Sequence, residues 1–69
     1  MATILDKEAD VVSLPGTKGP FTVLNGHAPI ISSLSKGVIK YEVKEEIKEI
    51  EIDDGITIVE QNTVRVFVR

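Results

Sequence analysis

The sequence contains no cysteine, no tryptophan and a single histidine among its 69 residues. Without cysteine it can form neither a disulfide nor a thiolate metal site, the usual stabilising devices of small domains. One histidine excludes a two-histidine metal site within one chain. No apolar run approaches the ~20 residues that cross a bilayer, and the first residues lack the pattern of a secretory signal. We therefore expect a soluble, non-exported protein that does not insert into a membrane.

The charge is mildly negative and unevenly distributed. The net charge is −3, and residues 42–54 hold seven acidic side chains against Lys44 and Lys48. No stripe of basic residues is present, so nucleic acid is not an expected partner. The length allows one domain, residues 1–69, and a domain this small buries only about 60% of the surface that its unfolded chain exposes. We expect partner binding to add to its stability.

The composition and the turn signals predict an all-β fold. Isoleucine, valine and threonine make up one third of the sequence, and β-branched side chains pack well on a pleated surface. Turn signals recur every 6–12 residues, which predicts six or seven short strands in a small antiparallel β-sandwich or flattened barrel. The predicted strands are residues 9–14, 21–24, 30–34, 38–43, 47–52, 56–60 and 63–68.

Residues 39–50 also support a helix. Ile39, Val43, Ile47 and Ile50 follow helical spacings of four, four and three. We prefer two strands joined near residues 44–46, because apolar and charged residues alternate on both sides of that point. Further along the chain, Asp53-Asp54-Gly55 predicts a hairpin with positive φ, and Gln61-Asn62 predicts the turn between the last two strands. In the last strand, Val64, Val66 and Val68 should share one face.

The sequence offers no set of residues for catalysis. Ser32, Ser33 and Ser35 lie close to His27, but no Gly-x-Ser-x-Gly motif surrounds any of them. The acidic cluster does not match a calcium-binding loop and is interpreted as a solvated face. The glycines of residues 16–19 lack the spacing of a phosphate-binding loop, so they are interpreted as a turn. We predict no catalytic residue, no metal and no cofactor.

Residues 12–39 carry several elements in a recognisable order: Leu14-Pro15-Gly16, a strand from Phe21, His27-Ala28-Pro29, and Lys36-Gly37. This order resembles the amino-terminal β-domain of the epsilon subunit of F-type ATP synthase, and the similarity extends more weakly to Arg69. Two departures from the family affect whole segments. The chain is expected to enter at the family's second strand, and it ends before the helical hairpin that the family commonly carries at its carboxy terminus. The hairpin's inhibitory and ATP-binding properties are not transferred.

The resemblance implies a non-catalytic rotor subunit in the central stalk. Such a subunit would link the gamma subunit to the polar loops of the membrane c-ring, on the cytoplasmic face of a bacterial inner membrane. The implied c-ring-facing turn is Gly16, Thr17, Lys18, Gly19 and Pro20, and the implied gamma-facing residues are His27 and Ser32. Pro20 stands where some relatives have an acidic residue. The alternative is an unrelated small sandwich that binds an extended peptide along an open edge.

Overall fold

The computed structural model describes residues 2–24, 26 and 28–69, and the regular structure in them is entirely β. The strands are β1 (Ala2–Glu8), β2 (Val11–Leu14), β3 (Phe21–Leu24), β4 (Ile30–Leu34), β5 (Gly37–Val43), β6 (Glu46–Ile52), β7 (Gly55–Glu60) and β8 (Thr63–Val68). They form two four-stranded antiparallel sheets. Sheet A has the order β1-β8-β7-β4, and sheet B has the order β3-β2-β5-β6. The all-β sandwich prediction is confirmed.

The predicted number of six or seven strands is too low, since the described residues form eight. The additional strand is β1, which pairs with β8 from Ala2 to Glu8 and shifts register between Thr3 and Leu5. Its side chains are exposed apart from Leu5. With one buried position and an irregular register, the segment has no clear alternation of apolar and polar residues. Such alternation is the signal by which a strand is recognised in a sequence.

Two tight hairpins have both of their turn residues at positive φ. Lys44 and Glu45 join β5 to β6 with φ of 50° and 67°, and Gln61 and Asn62 join β7 to β8 with φ of 47° and 65°. Two-residue turns of this kind match the right-handed twist of the strands they connect. The two-strand interpretation of residues 38–52 is therefore correct, and the helical alternative is wrong.

The prediction of a hairpin at Asp53-Asp54-Gly55 is wrong. β6 belongs to sheet B and β7 to sheet A, so these residues carry the chain from one sheet to the other. Gly55 is absent from the positive-φ residues. Glycine is required there for a different reason: a Cβ atom would lie 2.6 Å from the carbonyl oxygen of Phe67. The Asp-Gly pair correctly indicated the end of a strand, but the chain then crosses to the other sheet instead of turning back.

The core lies between the sheets and consists mainly of aliphatic side chains. Val64 and Val66 are 1% and 0% exposed, and Val68 is partly buried against the same core, which confirms the predicted inner face of the last strand. Within the described part of the chain, Thr57 is the one buried polar residue, and its hydroxyl donates a hydrogen bond to the Arg65 carbonyl oxygen at 3.0 Å. A buried polar group is tolerated when it is hydrogen-bonded in this way.

Candidate interaction surface

The turn between β2 and β3, residues 16–20, is fixed against β4. Gly16 forms an isolated antiparallel bridge with Leu34, and the backbone N–H of Thr17 donates to the Ser33 carbonyl oxygen at 3.1 Å. The hydroxyls of Thr17 and Ser33 lie 3.0 Å apart, and the backbone N–H of Ser35 donates to the Pro15 carbonyl oxygen at 2.8 Å. The turn therefore links the two sheets at this end of the sandwich.

Two of the turn residues must be glycine for local steric reasons. A Cβ atom on Gly16 would lie 2.8 Å from both the Gly19 carbonyl oxygen and the ring of Phe21. Gly19 has φ of +127°, a conformation that other residues rarely adopt. The interpretation of these glycines as turn-forming residues is confirmed.

The structure places the predicted turn and Ser32 around one open depression. This depression has a volume of about 570 Å³ and is lined by residues 16–21 and 31–33. Thr17, Lys18, Gly19 and Pro20 are exposed at its rim. The resemblance implies two different partners for the turn and for Ser32, and the structure brings the two regions together at one end of the sandwich. His27 lies outside the described residues.

Ser32 is less accessible than its neighbours on β4. The burial of this strand alternates, so that Ile30, Ser32 and Leu34 are partly or fully buried while Ile31 and Ser33 are exposed. The Ser32 hydroxyl donates to the carbonyl oxygen of Ser33 at 3.0 Å. Ile31 is 75% exposed, which makes it the more prominent side chain on this strand. The exposure of Ile31 could not be predicted from the sequence, because the five residues of β4 carry no charge that would mark the outer face.

The edge strands differ in charge between the two sides of the sandwich. β3 and β4 contain no charged residue. β1 contains Asp6, Lys7 and Glu8, and β6 contains four charged residues. Charged side chains on an edge strand discourage pairing with another chain, so proteins place them on edges that remain in solvent. The edge strands β3 and β4 lack this protection against pairing.

The acidic residues of the 42–54 segment lie at the surface. Most are exposed, and Glu42 and Asp54 are partly buried. Two of their ion pairs, Lys40 with Glu49 at 3.6 Å and Lys48 with Glu46 at 4.0 Å, join side chains that are more than half exposed. Such exposed pairs contribute about 0–1 kcal/mol. The interpretation as a solvated face is confirmed. Across residues 2–24, 26 and 28–69, no three potential ligands come together to hold a metal ion.

The described part of the chain also contains no helix that could cross a bilayer. Fold and topology together define a small β-sandwich domain built from two four-stranded antiparallel sheets. The sequence profile of one family, described as "ATP synthase, Delta/Epsilon chain, beta-sandwich domain", matches residues 1–69. The chain belongs to this family.

Curated relatives agree with the family assignment. The chain is 40% identical over 63 residues to a protein named ATP synthase epsilon chain from Desulfitobacterium hafniense. The aligned region covers 91% of this chain and 48% of the relative. It is 39% identical over 66 residues to the protein of the same name from Synechococcus elongatus, covering 96% of this chain and 48% of the relative. The chain thus spans about half the length of these relatives. The expected resemblance is confirmed, and the alternative of an unrelated module is excluded.

Proposed function

We propose that this chain acts as a non-catalytic subunit of the central stalk of an F-type ATP synthase. In this role it links the gamma subunit to the polar loops of the c-ring, and it helps to couple ion translocation to ATP synthesis. It would lie on the cytoplasmic face of a bacterial inner membrane, held there by its protein partners. Its relatives carry the name of the epsilon chain, which is the basis for extending these partners to this chain.

The observation that carries the proposal is the rigid attachment of the turn at residues 16–20 to β4. The backbone contacts of Gly16 with Leu34 and of Thr17 with Ser33 hold the two proposed contact regions in one fixed geometry. A subunit that transmits torque needs this stiffness, because a flexible connection would dissipate rotation as local motion. The close-packed core between the sheets provides the rest of the rigid body.

The proposed contact with the c-ring depends on few charges. Lys18 is the sole charged residue of the turn in the sequence, and it is exposed. Pro20 has no backbone N–H to donate and no charge to offer. We therefore assign the polar contact to Lys18 and to the backbone of the turn. An acidic side chain on a c-ring loop would complement this turn better than a basic one.

Co-purification tests the proposal. The chain is expressed together with the gamma subunit of the same organism, with an affinity tag on gamma alone, and the mass of the eluted complex is measured. A complex of one gamma and one copy of this chain supports the proposal. If tagged gamma captures a full-length epsilon chain from a relative under the same conditions but not this chain, the proposed link to gamma is refuted.

A further inference from the structure

Two connections pass between the sheets at the end of the sandwich that contains the β7–β8 turn. The first joins β1 of sheet A to β2 of sheet B, and the second joins β3 of sheet B to β4 of sheet A. Ile30, the first residue of β4, pairs with Val59 close to the β7–β8 turn. Leu34, the last residue of β4, is bridged to Gly16. The β7–β8 turn and the turn at residues 16–20 therefore lie at opposite ends of the sandwich.

Asn62, in the β7–β8 turn, is hydrogen-bonded to both connections. Its backbone carbonyl oxygen accepts a hydrogen bond from the N–H of Ala9 at 3.0 Å. Its side-chain Oδ1 accepts a second hydrogen bond, from the N–H of Gly26, also at 3.0 Å. Ala9 lies between β1 and β2, and Gly26 lies between β3 and β4. One turn residue thus ties together two segments that cross from sheet to sheet.

The backbone conformation of the turn does not by itself call for an amide side chain. Gln61 and Asn62 have φ of 47° and 65°, and glycine adopts such angles at the lowest steric cost. Asparagine tolerates positive φ better than most residues, and it adds an acceptor that glycine lacks. The side chain of Gln61, by contrast, has no hydrogen bond or ion pair within the described part of the chain. The Asn62 amide therefore serves the β3–β4 connection more than the turn.

Gly26 depends on its backbone for attachment. It has φ of +82°, which favours glycine, and a Cβ atom added there would meet no atom within 4 Å. No side chain packs at this point of the connection, and the space around it is open. The hydrogen bond to Asn62 supplies the attachment that side-chain packing provides elsewhere.

We infer that Asn62 is a positioning residue, whose side chain holds the β3–β4 connection in place for contact with a partner. The inference rests on the proposed function, because the resemblance implies a gamma-facing role for His27, which follows Gly26 in the sequence. A segment that is ordered before binding loses less conformational entropy when the complex forms. The Asn62 amide thus acts on gamma binding through Gly26.

Three variants separate the side-chain bond from the turn conformation. Asn62→Gly removes the acceptor and keeps a residue suited to positive φ, whereas Asn62→Asp keeps an acceptor oxygen. The control Gln61→Gly makes the same glycine change at the neighbouring position of the turn. Circular dichroism first establishes that each variant is folded.

Solvent exchange of backbone amide protons is measured by NMR, and binding to immobilised gamma is measured by biolayer interferometry. The Ala9 amide is an internal reference, because it bonds to the backbone carbonyl of residue 62 and not to the side chain. In Asn62→Gly, we expect exchange of the Gly26 amide proton to accelerate about fivefold or more, while exchange at Ala9 is unchanged. The same variant should bind gamma about threefold or more weakly. Asn62→Asp and Gln61→Gly should match the parent in both measurements.

Equal exchange at Gly26 in the parent and in Asn62→Gly would overturn the positioning role. Faster exchange without any change in gamma binding would refute the inferred effect on the partner. A loss of binding that Asn62→Asp shares would also contradict the inference, since this variant keeps the acceptor. If the parent itself does not bind gamma, the proposed function fails, and the exchange rates still decide whether Asn62 holds the connection.

Discussion

The placement of Ile39 and Ile47 gives the sharpest test of the fold. Both residues lie in the segment that could be read as a helix, and in that helix they would share one buried stripe. In the sandwich they face opposite sides of sheet B: Ile39 is 0% exposed and Ile47 is 65% exposed. The two substitutions Ile39→Val and Ile47→Val remove the same methylene group and keep the β-branched shape. Differences in strand propensity therefore have little influence on the comparison.

The expected effect of each substitution follows from burial. Removing one buried methylene costs about 0.8 kcal/mol in transfer free energy, and buried Ile-to-Val changes typically cost about 0.5–1.5 kcal/mol once the cavity is included. For a domain of this size, about 1 kcal/mol lowers the melting temperature by roughly 4–8 °C. We expect this loss for Ile39→Val. For Ile47→Val we expect a change within about 0.5 kcal/mol, as is usual at an exposed position.

The assay is urea unfolding followed by far-ultraviolet circular dichroism, because the sequence has no tryptophan to report by fluorescence. The slope of the transition must be the same for the parent and both variants, so that a shift in midpoint reflects stability alone. An Ile47→Val variant that loses as much stability as Ile39→Val would refute the assigned faces of β5 and β6.

Three other predictions address the turns and the absence of nucleotide chemistry. Replacing Lys44-Glu45 by Asn-Gly should raise the free energy of unfolding by about 1 kcal/mol, because both residues have positive φ; an unchanged or lower urea midpoint would contradict the turn geometry. Gly16→Ala should destabilise the fold by roughly 1–3 kcal/mol through contact with the Phe21 ring, and a melting temperature equal to that of the parent would show that the turn is looser than described. Calorimetric titration with Mg-ATP should give no heat of binding, whereas a micromolar affinity, about −8 kcal/mol, would reveal a nucleotide site on this chain.

The sequence was most informative where one face of a strand is buried. In β8 the alternation of Val64 and Val66 with Thr63 and Arg65 defines both the strand and its inner face, since side chains of a strand point alternately to opposite sides. The sequence also predicted the β2–β3 hairpin, because proline and glycine residues close together are typical of a turn. These features depend on local geometry, which neighbouring residues largely determine.

The sequence was less informative where the outcome depends on distant parts of the chain. An Asp-Gly pair is typical of a hairpin. Whether the chain turns back at Gly55 or crosses to the other sheet depends, however, on which strands pair with β6 and β7. The exposure of Ile31 is also a tertiary property, because it follows from β4 lying at the edge of sheet A. The Lys44-Glu45 turn was located by the alternation around it, and neither residue is typical of a positive-φ turn.

We propose that one rigid body contacts gamma and the c-ring at the same time, and cross-linking in an assembled ATP synthase tests this proposal directly. The chain has no cysteine of its own, so Lys18→Cys and Ser32→Cys each introduce the single thiol of this chain. With a short bifunctional reagent, we expect a product of Lys18→Cys with subunit c and a product of Ser32→Cys with gamma. Both products should form within one complex when the two changes are combined. An assembled complex in which either thiol fails to reach its assigned subunit would contradict the proposed double contact.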